Sequence, residues 1–128
     1  MKKKVLLVED IMEFRAMLKI ILSGEYEVVT ARDGREALDM LYDGYRPDAI
    51  VTDLKMPEMD GYELISQVKN DDEYKKIPII VLTHSDRNAD KEKSLKKGVY
   101  TYIQKSYIPK EFQTELARSL TYVTQCAS

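Results

Sequence analysis

Three carboxylates of this chain stand close behind short apolar runs. Glu9 and Asp10 follow the run at 5–8, and Asp53 ends the segment that begins with the run at 49–51, shortly before Pro57. Short apolar runs closed by turn residues predict buried strands, and α/β sheets hold their ligand sites at the carboxyl ends of strands. If these two strands are neighbours, the carboxylates meet at one edge and need a counter-charge. Mg²⁺, which takes oxygen ligands, suits such a site.

A hydroxyl and a cation are expected at the same edge of the sheet. Thr83 ends the apolar run at 77–82, and Lys105 follows the mixed run at 99–103. A carboxylate nucleophile beside Mg²⁺ and an ammonium group is a competent acceptor for a phosphoryl group, because the two cations spread the charge on the transferring oxygens. The residue types therefore favour phosphoryl chemistry at Asp53.

Strand-like and helix-like patterns alternate five times, which predicts a parallel sheet with helices on both faces. Strands are expected at 4–8, 25–31, 48–53, 77–82 and 99–103, and helices are expected to begin near Met12, Gly34, Asp60, Asn88 and Pro109. We therefore expect a single α/β domain over 1–128, with a doubly wound five-stranded parallel sheet in the flavodoxin-like order 2-1-3-4-5 and five helices on its two faces. That strand order brings Glu9, Asp10 and Asp53 together at one edge of the sheet.

Apolar residues at helical spacing identify the helices. In the first helix Met12, Ala16, Met17, Ile20 and Ile21 recur at this spacing, and Gly24 is the expected stop. The third helix opens with the D-x-x-E capping pattern from Asp60 to Glu63. The positions expected on buried helix faces farther along are Ala37, Leu38, Leu41, Leu64, Ile65, Val68, Phe112, Leu116, Leu120 and Val123.

Composition limits the functional classes. The 128 residues are 44% hydrophobic and 33% charged with a net charge of −2, which is typical of a globular domain and gives no basic field for nucleic acid or anionic lipid. No apolar run is long enough to span a bilayer. The single cysteine, Cys126, permits no intrachain disulfide and fits a reducing cytoplasm. We expect a cytoplasmic protein without a direct nucleic-acid or membrane partner.

Taken together, the motifs resemble those of the receiver domains of bacterial two-component response regulators, from residue 4 to about residue 123. The matching segments are Val8-Glu9-Asp10, Asp53-Leu-Lys-Met-Pro57-Glu-Met-Asp-Gly61, Val81-Leu-Thr83, Gly98 and Tyr102-Ile-Gln-Lys105. The resemblance implies a phosphorylation-dependent signalling switch. Its own chemistry would be limited to Mg²⁺-dependent self-phosphorylation and slow dephosphorylation.

The resemblance also implies a role for each matching residue. Asp53 would accept a phosphoryl group from a sensor histidine kinase or a phosphotransfer protein. Glu9, Asp10, Asp53 and the backbone carbonyl of Lys55 would hold Mg²⁺, and Thr83 and Lys105 would bind phosphoryl oxygens. Tyr102 would swing inward behind Thr83 and reshape the surface of helix 4, strand 5 and helix 5.

Partners follow from the same resemblance. The exposed side of the first helix, with Glu13, Arg15 and Lys19, would dock the phosphodonor. A downstream protein target or an output domain outside this chain would receive the signal. The charged residues of helix 4 and helix 5 permit either a monomer or a phosphorylation-linked homodimer; they are Lys96, Lys97, Lys110 and Arg118.

Four departures from the family pattern bear on the site. Ser106 stands where a proline joined by a cis peptide usually follows the lysine, and a cis bond before a non-proline residue costs about 2.5–4 kcal/mol. His84 replaces a small residue and would narrow access or add a titratable group near the phosphate. Lys55 and Ser85 occupy positions that tune attack by water. Ile108, before Pro109, cannot cap the last helix.

Each site residue also has a structural explanation. Asp10 with Glu13 forms a capping box, and Asp53 suits a turn. Glu9 suits a solvated strand end and Lys105 an exposed surface, while Thr83 and Tyr102 suit a loop hydroxyl and an edge-strand aromatic. At the level of function, the alternative is a pseudo-receiver that binds partners without phosphorylation. A haloacid-dehalogenase-type phosphatase would need an aspartate at Lys55, and a flavodoxin would need a Ser/Thr/Gly phosphate loop after strand 1.

Overall fold

The computed structural model describes residues 2–105 and 109–125. Within them strands and helices alternate five times, as the sequence predicts. The strands are β1 (Lys3–Val8), β2 (Tyr26–Ala31), β3 (Ala49–Thr52), β4 (Ile79–Thr83) and β5 (Thr101–Gln104). The helices are α1 (Met12–Leu22), α2 (Gly34–Tyr42), α3 (Gly61–Lys69), α4 (Asn88–Lys96) and α5 (Pro109–Gln125). Observed and predicted bounds agree to within two residues, and the largest differences fall at the starts of β4 and β5, because strand ends depend on hydrogen-bonded neighbours.

The five strands form one parallel sheet in the order β2-β1-β3-β4-β5, so the predicted fold class and strand order are confirmed. Val8, the last residue of β1, pairs with Thr52, the last residue of β3. Every residue of β3 and β4 is buried, as strands covered on both faces should be. This register brings the segments that follow β1 and β3 to the same edge of the sheet.

The core has two layers, one on each face of the sheet. Residues such as Leu6 and Ile50 pack with α2 and α3, whereas Leu7 and Val51 pack with α1 and α5. The apolar positions predicted for α2, α3 and α5 are all buried: Ala37, Leu38, Leu41, Leu64, Ile65, Val68, Phe112, Leu116, Leu120 and Val123. The chain therefore wraps both faces of the sheet with helices, as expected for a doubly wound domain.

The apolar spacing locates helix α1 correctly but does not identify its buried face. Met12 is 63% exposed and Ile20 is 77% exposed. The residues that contact the core are Leu18 and Leu22, with Phe14 and Met17 half-buried beside them. Because α1 carries apolar residues on more than one side, periodicity alone cannot choose between the two faces. Met12 and Ile20 therefore leave apolar surface exposed on the outward side of α1.

Two aspartates cap helices at the functional edge, and a third does not. The Asp60 carboxylate accepts a hydrogen bond from the Glu63 amide at 2.9 Å, which confirms the predicted cap of α3. Asp33 caps α2 in the same way. The capping alternative for Asp10 is wrong, because Ile11 occupies the N-cap of α1 and makes no side-chain cap bond. The carboxylate of Asp10 is thus available for another role. The cap position at Ile108 lies outside the described residues.

Within residues 2–105 and 109–125, no helix combines the length and apolar character needed to cross a bilayer.

Candidate functional site

The structure brings Glu9, Asp10 and Asp53 together at the carboxyl edge of the sheet. The Glu9 amide donates to the Ala31 carbonyl at 2.9 Å, and the Asp53 amide donates to the Val8 carbonyl at 3.2 Å. These bonds extend the sheet ladder by one residue and fix both backbones. One carboxylate oxygen from each of the three residues lies within 4.8 Å of the others. Glu9 and Asp53 are buried, and Asp10 is half-buried.

Lys105 supplies the positive charge that this cluster needs. Its backbone amide donates to the Thr83 carbonyl at 2.7 Å, so it continues the pairing of β5 with β4 beyond the strand end. Its Nζ donates to Glu9 Oε1 at 2.5 Å and to Asp53 Oδ2 at 3.0 Å. The Lys105 side chain is only 1% exposed. A solvated surface lysine is therefore ruled out, and the ammonium lies within the acidic cluster.

The surroundings push the pKa values of the two buried carboxyl groups apart. Burial is the largest single influence on Asp53 and opposes its ionisation. The charge of Lys105 and the hydrogen bonds from Thr83, Lys105 and the Leu54 amide together outweigh burial, so the pKa of Asp53 lies below its usual range. For Glu9 burial prevails over the same lysine and raises the pKa to about 7. Asp53 is therefore ionised near neutral pH, the protonation state that a nucleophile requires.

The acidic cluster fits a hard cation. Glu9 Oε2 is buried and has no hydrogen-bond partner among the described residues. A carboxylate oxygen that is buried without a partner carries a desolvation penalty, which a cation beside it would remove. Three carboxylates face one ammonium group, so negative charge remains when all of them are ionised. Oxygen ligands of this kind are the ones that Mg²⁺ and Mn²⁺ take. Glu9, Asp10 and Asp53 are thus chemically suited to hold a divalent ion.

The loop after β3 positions Asp53 through close backbone contacts. The Leu54 amide donates to Asp53 Oδ1 at 2.6 Å, and the Gly61 amide donates to the Leu54 carbonyl at 2.8 Å. The start of α3 thereby lies directly against the Asp53 backbone. Lys55 follows in this loop with an exposed side chain. A role for its backbone carbonyl as a ligand stays a prediction.

Thr83 and Tyr102 lie on neighbouring strands at the same edge. Thr83 is buried at the end of β4, and its hydroxyl accepts a hydrogen bond from the Ser85 amide at 3.4 Å. Tyr102 is half-buried on β5, and its hydroxyl donates to the Ser85 carbonyl at 2.8 Å. The tyrosine is therefore bound to the loop between β4 and α4. In this conformation Ser85 connects the two predicted switch residues.

Of the two departures His84 and Ser106, only His84 lies among the described residues. The imidazole of His84 is exposed, and its ring meets the Phe14 ring edge-on, with centroids 5.9 Å apart. Ser106 and the peptide bond that joins it to Lys105 lie outside the described residues. The effects of His84, Ser85, Lys55 and Ser106 on phosphoryl lifetime stay predictions.

Arg15 takes a structural role that its position in the sequence does not reveal. We expected it on the exposed face of α1 beside Glu13 and Lys19, which are indeed exposed. Arg15 is half-buried instead, and its guanidinium donates to the carbonyls of Glu9 at 2.8 Å and Asp10 at 3.4 Å. It thereby ties α1 to the loop that carries two of the three carboxylates. Sequence reasoning misses this because backbone acceptors leave no residue signature.

A polar network fixes the first turn of α4 beside the site. Asp90 accepts hydrogen bonds from the Tyr62 hydroxyl and, at 2.5 Å, from the Ser85 hydroxyl. These two hydrogen bonds lower the pKa of Asp90. Burial, together with the hydrogen bond to Asp90, raises the pKa of Tyr62. In α4 the buried residue is Ser94, so apolar packing holds this helix only weakly. The network therefore fastens α4 to α3 and, through Ser85, to Tyr102.

Comparisons with known proteins agree on one family. The family model described as "Response regulator receiver domain" matches residues 5–117. Chemotaxis protein CheY1 of Helicobacter pylori is 36% identical over 115 residues, which cover 88% of this chain and 93% of that protein. A probable transcriptional regulator ycf27 of Guillardia theta is 35% identical over 98% of this chain, but the match covers only 48% of that protein. The chain thus spans about half the length of several curated relatives.

Solved structures give the same result. The phosphorylated cyanobacterial phytochrome response regulator RcpA is 31% identical with a TM-score of 0.89, and the alignment covers 100% of this chain and 98% of that one. The Mn²⁺-bound form of response regulator Rcp1 is 30% identical with a TM-score of 0.81, covering 89% of this chain and 88% of that one. Sequence and backbone likeness therefore extend across nearly the whole chain.

Proposed function

Because this chain belongs to the family of response regulator receiver domains, we propose that it is a phosphorylation-controlled signalling switch with Asp53 as its phosphoacceptor. The observation that carries the proposal is the geometry of Asp53, a buried carboxylate with a lowered pKa that accepts a hydrogen bond from the Lys105 ammonium at 3.0 Å. A nucleophile of this kind is ionised and desolvated, and its cationic partner can bind a phosphoryl oxygen after the transfer.

The proposed reaction is a phosphoryl transfer to one Asp53 oxygen. That oxygen attacks the phosphorus of a phosphohistidine or of a small phosphodonor, and the donor departs with the electron pair of the broken bond. Asp53 then carries an acyl phosphate, which water later cleaves to phosphate and a free carboxylate. Lys105 stays within reach of the new phosphoryl oxygens, and the Thr83 hydroxyl offers a second hydrogen bond.

We propose Mg²⁺ as the cofactor, held by Glu9, Asp10 and Asp53 with the carbonyl of Lys55 as a further ligand. When bound, the ion would offset charge on the transferring oxygens. The unpartnered Oε2 of Glu9 supports the assignment, as does the described Mn²⁺-bound form of Rcp1, a relative of the same fold. Titration with Mg²⁺ and with Mn²⁺, each monitored through the change in the protein's spectrum, shows which ion the site binds more tightly.

Intact-mass measurement tests the acceptor role. Incubation with Mg²⁺ and a small phosphodonor such as acetyl phosphate is expected to add one phosphoryl group to the wild-type chain and none to Asp53→Ala. Omission of Mg²⁺ is expected to abolish the gain.

Asp72→Ala is the matched control, because Asp72 is exposed and far along the chain from the cluster. It should be phosphorylated like the wild type. A folded wild-type chain that gains no phosphoryl group would reject the acceptor role and favour a phosphorylation-independent interaction module. A gain that survives in Asp53→Ala would place the acceptor elsewhere.

We propose that Thr83 and Tyr102 transmit phosphorylation to the surface formed by α4, β5 and α5. A phosphoryl group on Asp53 that draws the Thr83 hydroxyl away from the Ser85 amide leaves that amide without its acceptor. The loop then rearranges, and Tyr102 loses its bond to the Ser85 carbonyl. Hydrogen exchange on the phosphorylated chain should show weaker protection of the Ser85 amide and of the first turn of α4. Unchanged exchange at both would contradict this route.

The exposed apolar stripe of α1 is the proposed docking surface for the histidine kinase or phosphotransfer protein. Met12 and Ile20 are largely exposed, and Ile11 and Ile21 are 46% and 42% exposed. At about 3.6 residues per turn, Met12 and Ile20 share the outward side of α1, and Ile11 and Ile21 do not fall on that side. Exposed apolar surface marks protein interaction sites, and this side of α1 starts close behind Asp10. Apolar contact, rather than the charge of Arg15, would then supply most of the affinity.

Ile20→Asp separates docking from chemistry. Phosphotransfer from a phosphohistidine donor should slow by roughly tenfold or more, because a charge would be placed in an apolar contact. Phosphorylation by acetyl phosphate should not change, since a small donor needs no docking. Tyr42→Asp, on exposed apolar surface of α2, is the control. Equal transfer rates for both variants would reject this surface.

The output partner is proposed to bind the surface of α4, β5 and α5. Leu95, Tyr100 and Tyr122 are exposed there, and the two tyrosine rings stack with centroids 5.6 Å apart. A target protein, an output domain or a second receiver domain would each fit this surface. Light scattering with and without phosphorylation distinguishes a monomer from a phosphorylation-linked homodimer. The proposed setting is the cytoplasm, where fractionation should recover the protein.

A further inference from the structure

Phe14 has a contact with the site that its position in the sequence does not suggest. Lys105 Nζ lies over the face of the Phe14 ring, 4.0 Å from its centroid. A cation at this distance from an aromatic face is attracted by the negative charge on that face, and the attraction grows when water is excluded. The Lys105 side chain is almost fully buried. The contact therefore falls in the stronger part of the usual range.

The bonding needs of the ammonium explain why this contact matters. A lysine ammonium has three N–H donors, and Glu9 and Asp53 each accept one of them. In the part of the chain that the structure describes, the ring of Phe14 is the further partner of the charge. The group is thus held by two carboxylates and one aromatic face, which restricts where the charge can lie.

Neighbouring rings hold Phe14 itself in place. Its ring stacks on that of Phe112 in α5, with centroids 5.8 Å apart and planes inclined by 29°. The exposed ring of His84 meets it edge-on. Phe14 lies in the first turn of α1, which Arg15 ties to the loop that carries Glu9 and Asp10. The ring is therefore held from both α1 and α5.

From this geometry we propose that Phe14 is a positioning residue that holds the Lys105 ammonium toward Asp53 and shields it from water. The proposal rests on the proposed function, because the ammonium must be in place when phosphoryl oxygens arrive at Asp53. This role requires no contact of Phe14 with the phosphoryl group. Phe14 acts through Lys105.

Fluorination of the ring tests the proposal with little change in the shape of the side chain. Replacement of Phe14 by 3,4,5-trifluorophenylalanine removes most of the negative charge on the ring face. The rate of phosphorylation by acetyl phosphate is expected to fall roughly five- to tenfold, which corresponds to about 1 kcal/mol. The protons of the Lys105 ammonium, followed by nitrogen NMR, should exchange faster with water. Phe14→Tyr, which keeps the negative charge on the ring face, should show the wild-type phosphorylation rate and the wild-type exchange rate of the ammonium protons.

Phe112 provides the matched control. It stacks on Phe14 but is not the ring that lies over Lys105, so trifluorination there should leave both readouts within twofold of the wild type. Equal effects at Phe14 and Phe112, or no effect at Phe14, would overturn the proposal. The exchange of the Lys105 ammonium decides the matter even when the wild-type chain takes no phosphoryl group, an outcome that would refute the proposed function alone.

Discussion

The Gly61→Ala substitution is expected to destabilise the chain by about 3 kcal/mol and to displace Asp53. A Cβ atom at Gly61 would lie 2.1 Å from the Asp53 carbonyl oxygen and 2.8 Å from the Leu54 Cα atom. Both neighbours are backbone atoms, so no flexible side chain can move aside. The Gly61 amide also donates to the Leu54 carbonyl at 2.8 Å, which holds the two segments together. Either this hydrogen bond or the position of Asp53 must change.

Urea unfolding measures the loss of stability, and intact mass measures the loss of phosphorylation. Gly24→Ala is the control, because its Cβ atom would meet nothing within 4 Å and its φ angle is not in the left-handed region. It should change the free energy of unfolding by less than about 1 kcal/mol. If Gly61→Ala is as stable and as readily phosphorylated as Gly24→Ala, the close approach of α3 to Asp53 is not important.

The sequence allows this fold to be predicted because strand ends, rather than single residues, carry the information. Alternation of apolar runs with helical patterns determines a parallel sheet, and the switch point of that sheet then places Glu9 and Asp53 side by side. Turn chemistry also locates the caps correctly, as at Asp60. The sequence alone is therefore sufficient to select the proposed phosphoacceptor and its cationic partner Lys105.

The features that sequence reasoning misses depend on three-dimensional contacts. Phe14 and Lys105 are far apart in the chain, and no local pattern records that the ring faces the ammonium. Arg15 binds carbonyl groups, which every residue has. Helix α1 carries apolar residues on both its buried and its exposed sides, so its periodicity fits two orientations, and Ile20 proved to face outward. Burial and packing decide such cases, and neither follows from spacing alone.

The Lys105→Met substitution is expected to lower the free energy of unfolding by about 3–5 kcal/mol in the absence of divalent metal. Lys105 is the basic partner of Glu9 and Asp53 in two buried ion pairs. Methionine has nearly the same length and keeps most of the packing. It leaves two buried carboxyl groups facing each other without a counter-charge, and this loss of pairing, rather than a cavity, accounts for the cost.

Divalent metal provides the diagnostic part of this prediction. An ion that binds the folded state alone adds stability as its concentration rises above its dissociation constant. Mg²⁺ should therefore stabilise Lys105→Met more than the wild type, because the wild-type ammonium already neutralises part of the same charge. Urea unfolding with and without Mg²⁺ measures both effects, and Lys96→Met, at an exposed position of α4, is the control. Equal stabilisation of all three proteins by Mg²⁺ would mean that Lys105 and the metal do not share the carboxylates. A larger stabilisation of Lys105→Met by Mg²⁺ would establish that Lys105 and the ion neutralise the same acidic cluster. A phosphoryl group on Asp53 is proposed to change this electrostatic balance.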